Sequence, residues 1–162
     1  MNHRDPLTNQ IDIARKWTNS LLADISDDDL YWSPRSGLHT AAWIIGHITW
    51  AQWGLIAVRC LQRDHLPEPY TTLFGRGTTP SPDASTYPPA AHLRSEFARV
   101  HEAIKPLIRN MTDAQLDAPL GGPPHPLLLT ARDAVSMVAM HETFHAGQLG
   151  LLRRLMGREA MR

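Results

Sequence analysis

Four stretches of the chain carry apolar residues at alternating gaps of three and four, and this spacing is the strongest constraint on its fold. A side chain recurs on one face of an α-helix every 3.6 residues, so such a stripe marks a helix with one face turned to a core. The first stripe runs Leu7, Ile11, Ala14, Thr18, Leu21, Ile25 and ends at Asp27-Asp28-Asp29. The second runs Thr40, Ile44, His47, Ala51, Gly54, Val58, Leu61, and the third Ala90, Leu93, Phe97, Val100, Ile104, Leu107. The fourth runs Ala134, Val138, His141, His145, Gln148, Leu152, Leu155. No alternating pattern of the kind a strand needs appears, and no internal repeat.

The punctuation fits these four segments. Pro34 and Gly37 predict a turn before the second, and Gly121-Gly122-Pro123-Pro124 with Pro126 a loop before the fourth. Thr130 and Asp133 stand in a capping-box arrangement at the start of the fourth, Gly157 follows its last turn, and Arg153 and Arg154 suit its negative end. Pro67, Pro69, Gly75, Gly77, Pro80, Pro82, Pro88 and Pro89 fill a connection of residues 64–89, too long for a tight hairpin and of a length often used for a lid or binding loop. The expectation is an all-α protein, one helical bundle domain over residues 1–162, with four helices and a long connection between the second and third.

Composition narrows the function. Sixteen Lys and Arg balance sixteen Asp and Glu, which argues against general nucleic-acid binding. Cys60 is the single cysteine, so neither an internal disulfide nor a cysteine-based zinc cluster can form. The opening Met1-Asn2-His3-Arg4-Asp5-Pro6 has no apolar run after a basic start, and no segment is read as a membrane span. The sequence therefore reads as a cytoplasmic protein with no membrane partner.

The anomaly lies inside the stripes. The first and third are apolar almost throughout, whereas the second carries His47 and the fourth His141 and His145. The latter two are four residues apart and project from one helix face. Each buried imidazole without a partner would cost roughly 1–3 kcal/mol. A single histidine on such a stripe is usually a core residue bonded to a carbonyl or hydroxyl. Three on two neighbouring helices are satisfied together by one shared divalent metal ion, with coordination positions left open as in a catalytic site. Inward-facing glutamates in the number a di-iron bundle needs are absent.

His141-Glu142-Thr143-Phe144-His145 also spells the H-E-x-x-H string of zinc proteases, in which the glutamate is the general base. The extended form of that motif wants a histidine where Leu151 stands, and no sheet is expected to line a cleft. A helical-bundle metal site is the better reading, with a metal-dependent hydrolase or a non-catalytic metal- or ligand-binding bundle as alternatives.

The stretch His141-Glu142-Thr143-Phe144-His145-Ala146-Gly147-Gln148-Leu149 with Arg153-Arg154 and Gly157, and the stretch Trp32-Ser33-Pro34 through Trp43-Ile44-Ile45-Gly46-His47-Ile48-Thr49-Trp50, resemble the DinB/YfiT-like superfamily. The resemblance implies a four-helix bundle, often a homodimer, with zinc or nickel on His47, His141 and His145. It implies further a thiol-dependent S-transferase or isomerase acting on a small-molecule substrate, with a low-molecular-weight thiol as co-substrate. Around these residues the expectations are modest. Trp43, Trp50 and Trp53 are read as packing residues, one of which could wall a pocket. Gln148 could bond a ligand or a neighbouring helix, and Glu142 could orient an imidazole or face solvent. His101 is expected to be exposed, and His39 and His125 incidental.

Overall fold

The computed structural model describes residues 4–35, 38–81 and 83–160. Gly37, Pro82 and the first three residues of the opening peptide lie outside them. The four stripes become the four long helices α1 (Arg4–Leu22), α2 (Ala41–Trp53), α4 (Ala90–Arg109) and α6 (Ala131–Leu155). Two short helices join them, α3 (Tyr70–Phe74) in the long connection and α5 (Asp113–Asp117) before α6. Among the described residues no strand forms; the extended backbone makes only the isolated bridges Pro119–Thr130 and His125–Leu128.

Helix ends follow local chemistry. Thr130 Oγ1 accepts from Asp133 N–H while the Asp133 carboxylate accepts from Thr130 N–H, the capping box expected there. Thr40 caps α2 through Trp43 N–H and is itself buried. Gly157 has φ +80°, and Arg158 N–H bonds the Arg153 carbonyl, so the chain leaves α6 through a left-handed residue that glycine tolerates without strain. The second segment departs from expectation. Regular α-helix stops at Trp53, and Gly54–Cys60 continues as a wider π-helix. This stretch packs against both α4 and α6, and Arg59 is drawn out of it to donate to the Gly121 and Pro123 carbonyls.

The helices pack as a ring: α1 along α6, α6 on α2, α2 along α4, α4 on α1. Helices α1 and α2 thus face each other across the core although consecutive among the long helices. Helix α2 is enclosed, with every side chain from Ala41 to Thr49 buried. Together with the π segment it is long and apolar enough to cross a membrane, contrary to the sequence reading, but 72% of that stretch is buried within the bundle, as in the core helix of a globular fold. Ile44, Ile45 and Ile48 meet Leu93, Val100 and Ile104 of α4 in one core, where each such side chain contributes roughly 1.5–3 kcal/mol.

Two details correct the expected stripes. His101 is 5% exposed, because α1 lies alongside α4 and Asp12 Oδ1 accepts from His101 Nε2–H at 3.0 Å. The buried face of α6 keeps Ala134, Val138, His145 and Leu152 of the stripe read in the sequence but takes Glu142 and Leu149 in place of His141 and Gln148. Leu155 is half-exposed, and Glu142 is fully buried.

Candidate metal centre

The histidines meet where α2 touches α6. His141 Nε2 lies 3.2 Å from His47 Nε2 and 3.2 Å from His145 Nε2, and one ligand atom from each of the three falls within 4.8 Å of the others. Two of these separations match the edge of a nitrogen tetrahedron around zinc, about 3.3 Å for bonds of about 2.0–2.1 Å. His47 and His145 are buried, while His141 is partly buried and forms the open side of the cluster.

The far side of each buried ring is fixed. His47 Nδ1 donates to the Phe74 carbonyl at 2.6 Å, a contact that puts the ring proton on Nδ1 and leaves the lone pair on Nε2. His145 Nδ1 donates to Gln148 Oε1 at 2.8 Å, with the same result. Burial, and the neighbouring His145 and His47 rings, push His141 down to about 3. Burial pushes His145 down to about 4, with His47 and His39 adding repulsion, and lowers His47 too. The three rings are therefore neutral at physiological pH. Their three Nε2 atoms share at most one proton, the one His141 can carry. Three acceptors converging on so few protons fit a metal cation, and imidazole nitrogen is a ligand that zinc and nickel both accept.

The surroundings support His47 from three sides. Trp43 stacks on it at 4.6 Å between centroids and Trp50 at 5.7 Å, so two of the tryptophans read as packing residues wall the site. Trp43 Nε1–H donates to Thr78 Oγ1. Thr78 and Phe74 both belong to the long connection, whose length suggested a lid or binding loop in the sequence. Trp53 lies apart, donating to the Asp64 carbonyl. His39, expected to be incidental, stacks on Trp43 at 4.0 Å and is hydrogen-bonded to Gln148. Only its spacing of four from Trp43 and eight from His47 could have placed it on this face. His125 remains incidental, accepting Leu127 N–H within its own loop.

Glu142 neither orients an imidazole nor faces solvent. Arg15 Nε–H donates to its Oε1 at 2.7 Å, and Gln52 Nε2–H to its Oε2 at 2.6 Å. Arg153 likewise does more than complement the helix end: it is 6% exposed and pairs with Asp24 at 2.6 Å. A groove of about 720 Å³ between α1 and α4, lined by Asp12, Lys16 and Lys105 among others, lies on the opposite edge of the bundle from the histidines.

Known proteins bear on this architecture. No curated protein matches the sequence significantly. Among solved structures, YfiT from Bacillus subtilis, described as "a probable metal-dependent hydrolase with an unusual four-helix bundle topology", superposes with a TM-score of 0.69. The match covers 96% of this chain and 89% of that one at 15% identity, a likeness of fold. The family model of the DinB superfamily matches residues 10–149, which include all three histidines and all four long helices in whole or large part. The chain belongs to the DinB superfamily.

Proposed function

We propose that the chain holds one divalent metal ion, zinc or nickel, on His47, His141 and His145 and uses it in thiol-dependent S-transferase or isomerase chemistry on a small molecule. The observation that carries the metal is the convergence of three neutral imidazole nitrogens on a point that offers at most one proton. A bound metal supplies Lewis acidity, lowering the pKa of whatever donor fills an open position.

Glu142 favours a thiol over water as that donor. In H-E-x-x-H hydrolases the glutamate takes the proton of the attacking water. Here both carboxylate oxygens are held by Arg15 and Gln52, and Glu142 is fully buried. A thiol, with a pKa of about 8.5, needs no such base beside a cation, whereas water at about 15.7 gains more from one. The chain does not provide the sulfur itself: Cys60 Sγ lies on the Ala131 carbonyl at the start of α6, about three turns from His141. His47 and His145 hold the ion from the buried side. His141 stands at the mouth, and Phe144, exposed and edge-on to His145, flanks it as a contact for substrate. Trp43 and Trp50 exclude water from the faces of His47.

Hydrolysis is the second reading, favoured by the description of YfiT. Elemental analysis should find about one zinc or nickel ion per chain, lost in His145→Ala, as an open three-ligand site predicts. Low-molecular-weight thiols titrated against a panel of electrophiles should then give conjugates only in the metal-loaded protein. A metal-loaded protein inert to every thiol but active on esters or amides would replace the transferase reading with the hydrolase one. Protein without divalent metal at neutral pH would refute both.

We further propose a homodimer formed through the face shared by α1 and α6. Trp17 on α1 and Leu151 on α6 line one groove and expose most of their apolar surface there. Sedimentation should give twice the chain mass, and Trp17→Glu should halve it.

A further inference from the structure

The core contains one polar knot that the metal site does not use directly. Arg15 of α1, Gln52 of α2 and Glu142 of α6 are all at least nine-tenths buried and meet between the helices. Arg15 Nε–H donates to Glu142 Oε1 at 2.7 Å, and its Nη2 to Glu142 Oε2 at 3.4 Å and Gln52 Oε1 at 3.1 Å. Gln52 Nε2–H donates to Glu142 Oε2 at 2.6 Å. Arg15 Nη1–H reaches the Phe97 carbonyl of α4 at 2.5 Å, and the guanidinium lies 3.4 Å over the Phe97 ring. All four long helices are thereby joined at one point.

Its place in the sequence links this knot to the histidines. Gln52 follows His47 by five residues on α2, and Glu142 stands between His141 and His145 on α6. The Gln52–Glu142 bond therefore crosses the same α2–α6 contact as the histidine cluster. Burying such an ion pair seldom adds stability over apolar residues of the same volume, whereas its directional bonds admit one register. Apolar packing between two helices tolerates sliding that nitrogens 3.2 Å apart do not.

We propose that Arg15, Gln52 and Glu142 form a positioning device that fixes α6 in register with α2, and thereby sets the distance of His47 from His141 and His145. This rests on the metal reading of those histidines. Glu142 is then a positioning residue, and the H-E-x-x-H string owes its glutamate to helix registration.

Cobalt(II) as the sole added ligand tests this, through its affinity and its visible d–d absorption, which reports coordination geometry independently of catalysis. Two variants separate positioning from stability. Gln52→Met keeps the ion pair and the side-chain volume and removes only the arm from α2. Arg15→Met with Gln52→Leu and Glu142→Leu replaces the whole knot by apolar groups and leaves no amide unpaired. The metal-free triple variant should unfold at the wild-type denaturant midpoint or above it. In both variants cobalt should bind about tenfold more weakly, the scale found when supporting groups around a metal site are lost, with an altered spectrum. Wild-type affinity and spectrum in either folded variant would overturn the positioning role. If wild-type protein bound no cobalt at all, the metal reading itself would fail first.

Discussion

Gly46→Ala tests whether the long connection really holds His47. Gly46 lies in mid-α2, where a Cβ would stand 2.4 Å from Phe74 Cε1, 2.5 Å from Cδ1 and 2.6 Å from Cζ. Ordinary contact begins near 3.4 Å, so the ring must retreat by about 1 Å. It has no room to do so: Phe74 is fully buried and packed against Tyr70 at 5.4 Å and Tyr87 at 5.8 Å. Alanine gains about 1 kcal/mol over glycine in a helix interior, and overpacking costs about 1–3 kcal/mol, so a net loss of about 1 kcal/mol is expected. Displacing Phe74 also moves the carbonyl that accepts from His47 Nδ1, and zinc affinity should fall about tenfold. Gly54→Ala is the control. No atom lies within 4 Å of its Cβ position, and its backbone is right-handed helical, so the same propensity should stabilise by up to about 1 kcal/mol. Urea unfolding in chelator and zinc competition against a chromophoric chelator measure the two effects. A Gly46→Ala protein as stable as Gly54→Ala, with wild-type zinc affinity, would refute the link between α3 and the site.

Gln148→Leu removes the acceptor from His145 Nδ1 and should weaken zinc binding by about 10–100-fold in calorimetric titration; an unchanged isotherm would show that Gln148 does not orient the ring. The metal-free protein should lose stability in acid. His141 and His145 titrate at about 3 and about 4 in the fold against 6.5 when unfolded, so their contribution is complete above pH 6.5 and declines as pH falls toward those folded values. Denaturation in chelator between pH 7 and 4.5 should show this slope, and the His141→Ala/His145→Ala double variant should flatten it. Thr130→Ala breaks the capping box of α6 and should cost about 1 kcal/mol in thermal or urea unfolding. Zinc affinity should not follow, because Thr130 lies three turns from His141; a parallel loss would mean that the helix end and the site are coupled.

The sequence by itself determined the four long helices, the cap at Thr130, the left-handed exit at Gly157 and the trio of His47, His141 and His145. These follow from periodicity and local hydrogen-bonding chemistry, which are written along the chain. What it left open depends on partners far apart in sequence. Phe74 acts through a backbone carbonyl, a group every residue has, so nothing in its identity reveals that it orients His47. Glu142 has Arg15 as its partner, 127 residues away on a helix that packs beside α6. His101 is buried because Asp12 arrives from α1, and His39 joins the site because Trp43 carries it onto the same face as His47. Periodicity fixes which face of a helix turns inward only to within about one residue, some 100° of rotation. Only the packing of α6 against α1 and α2 turned Glu142 into the core and left His141 at the open rim.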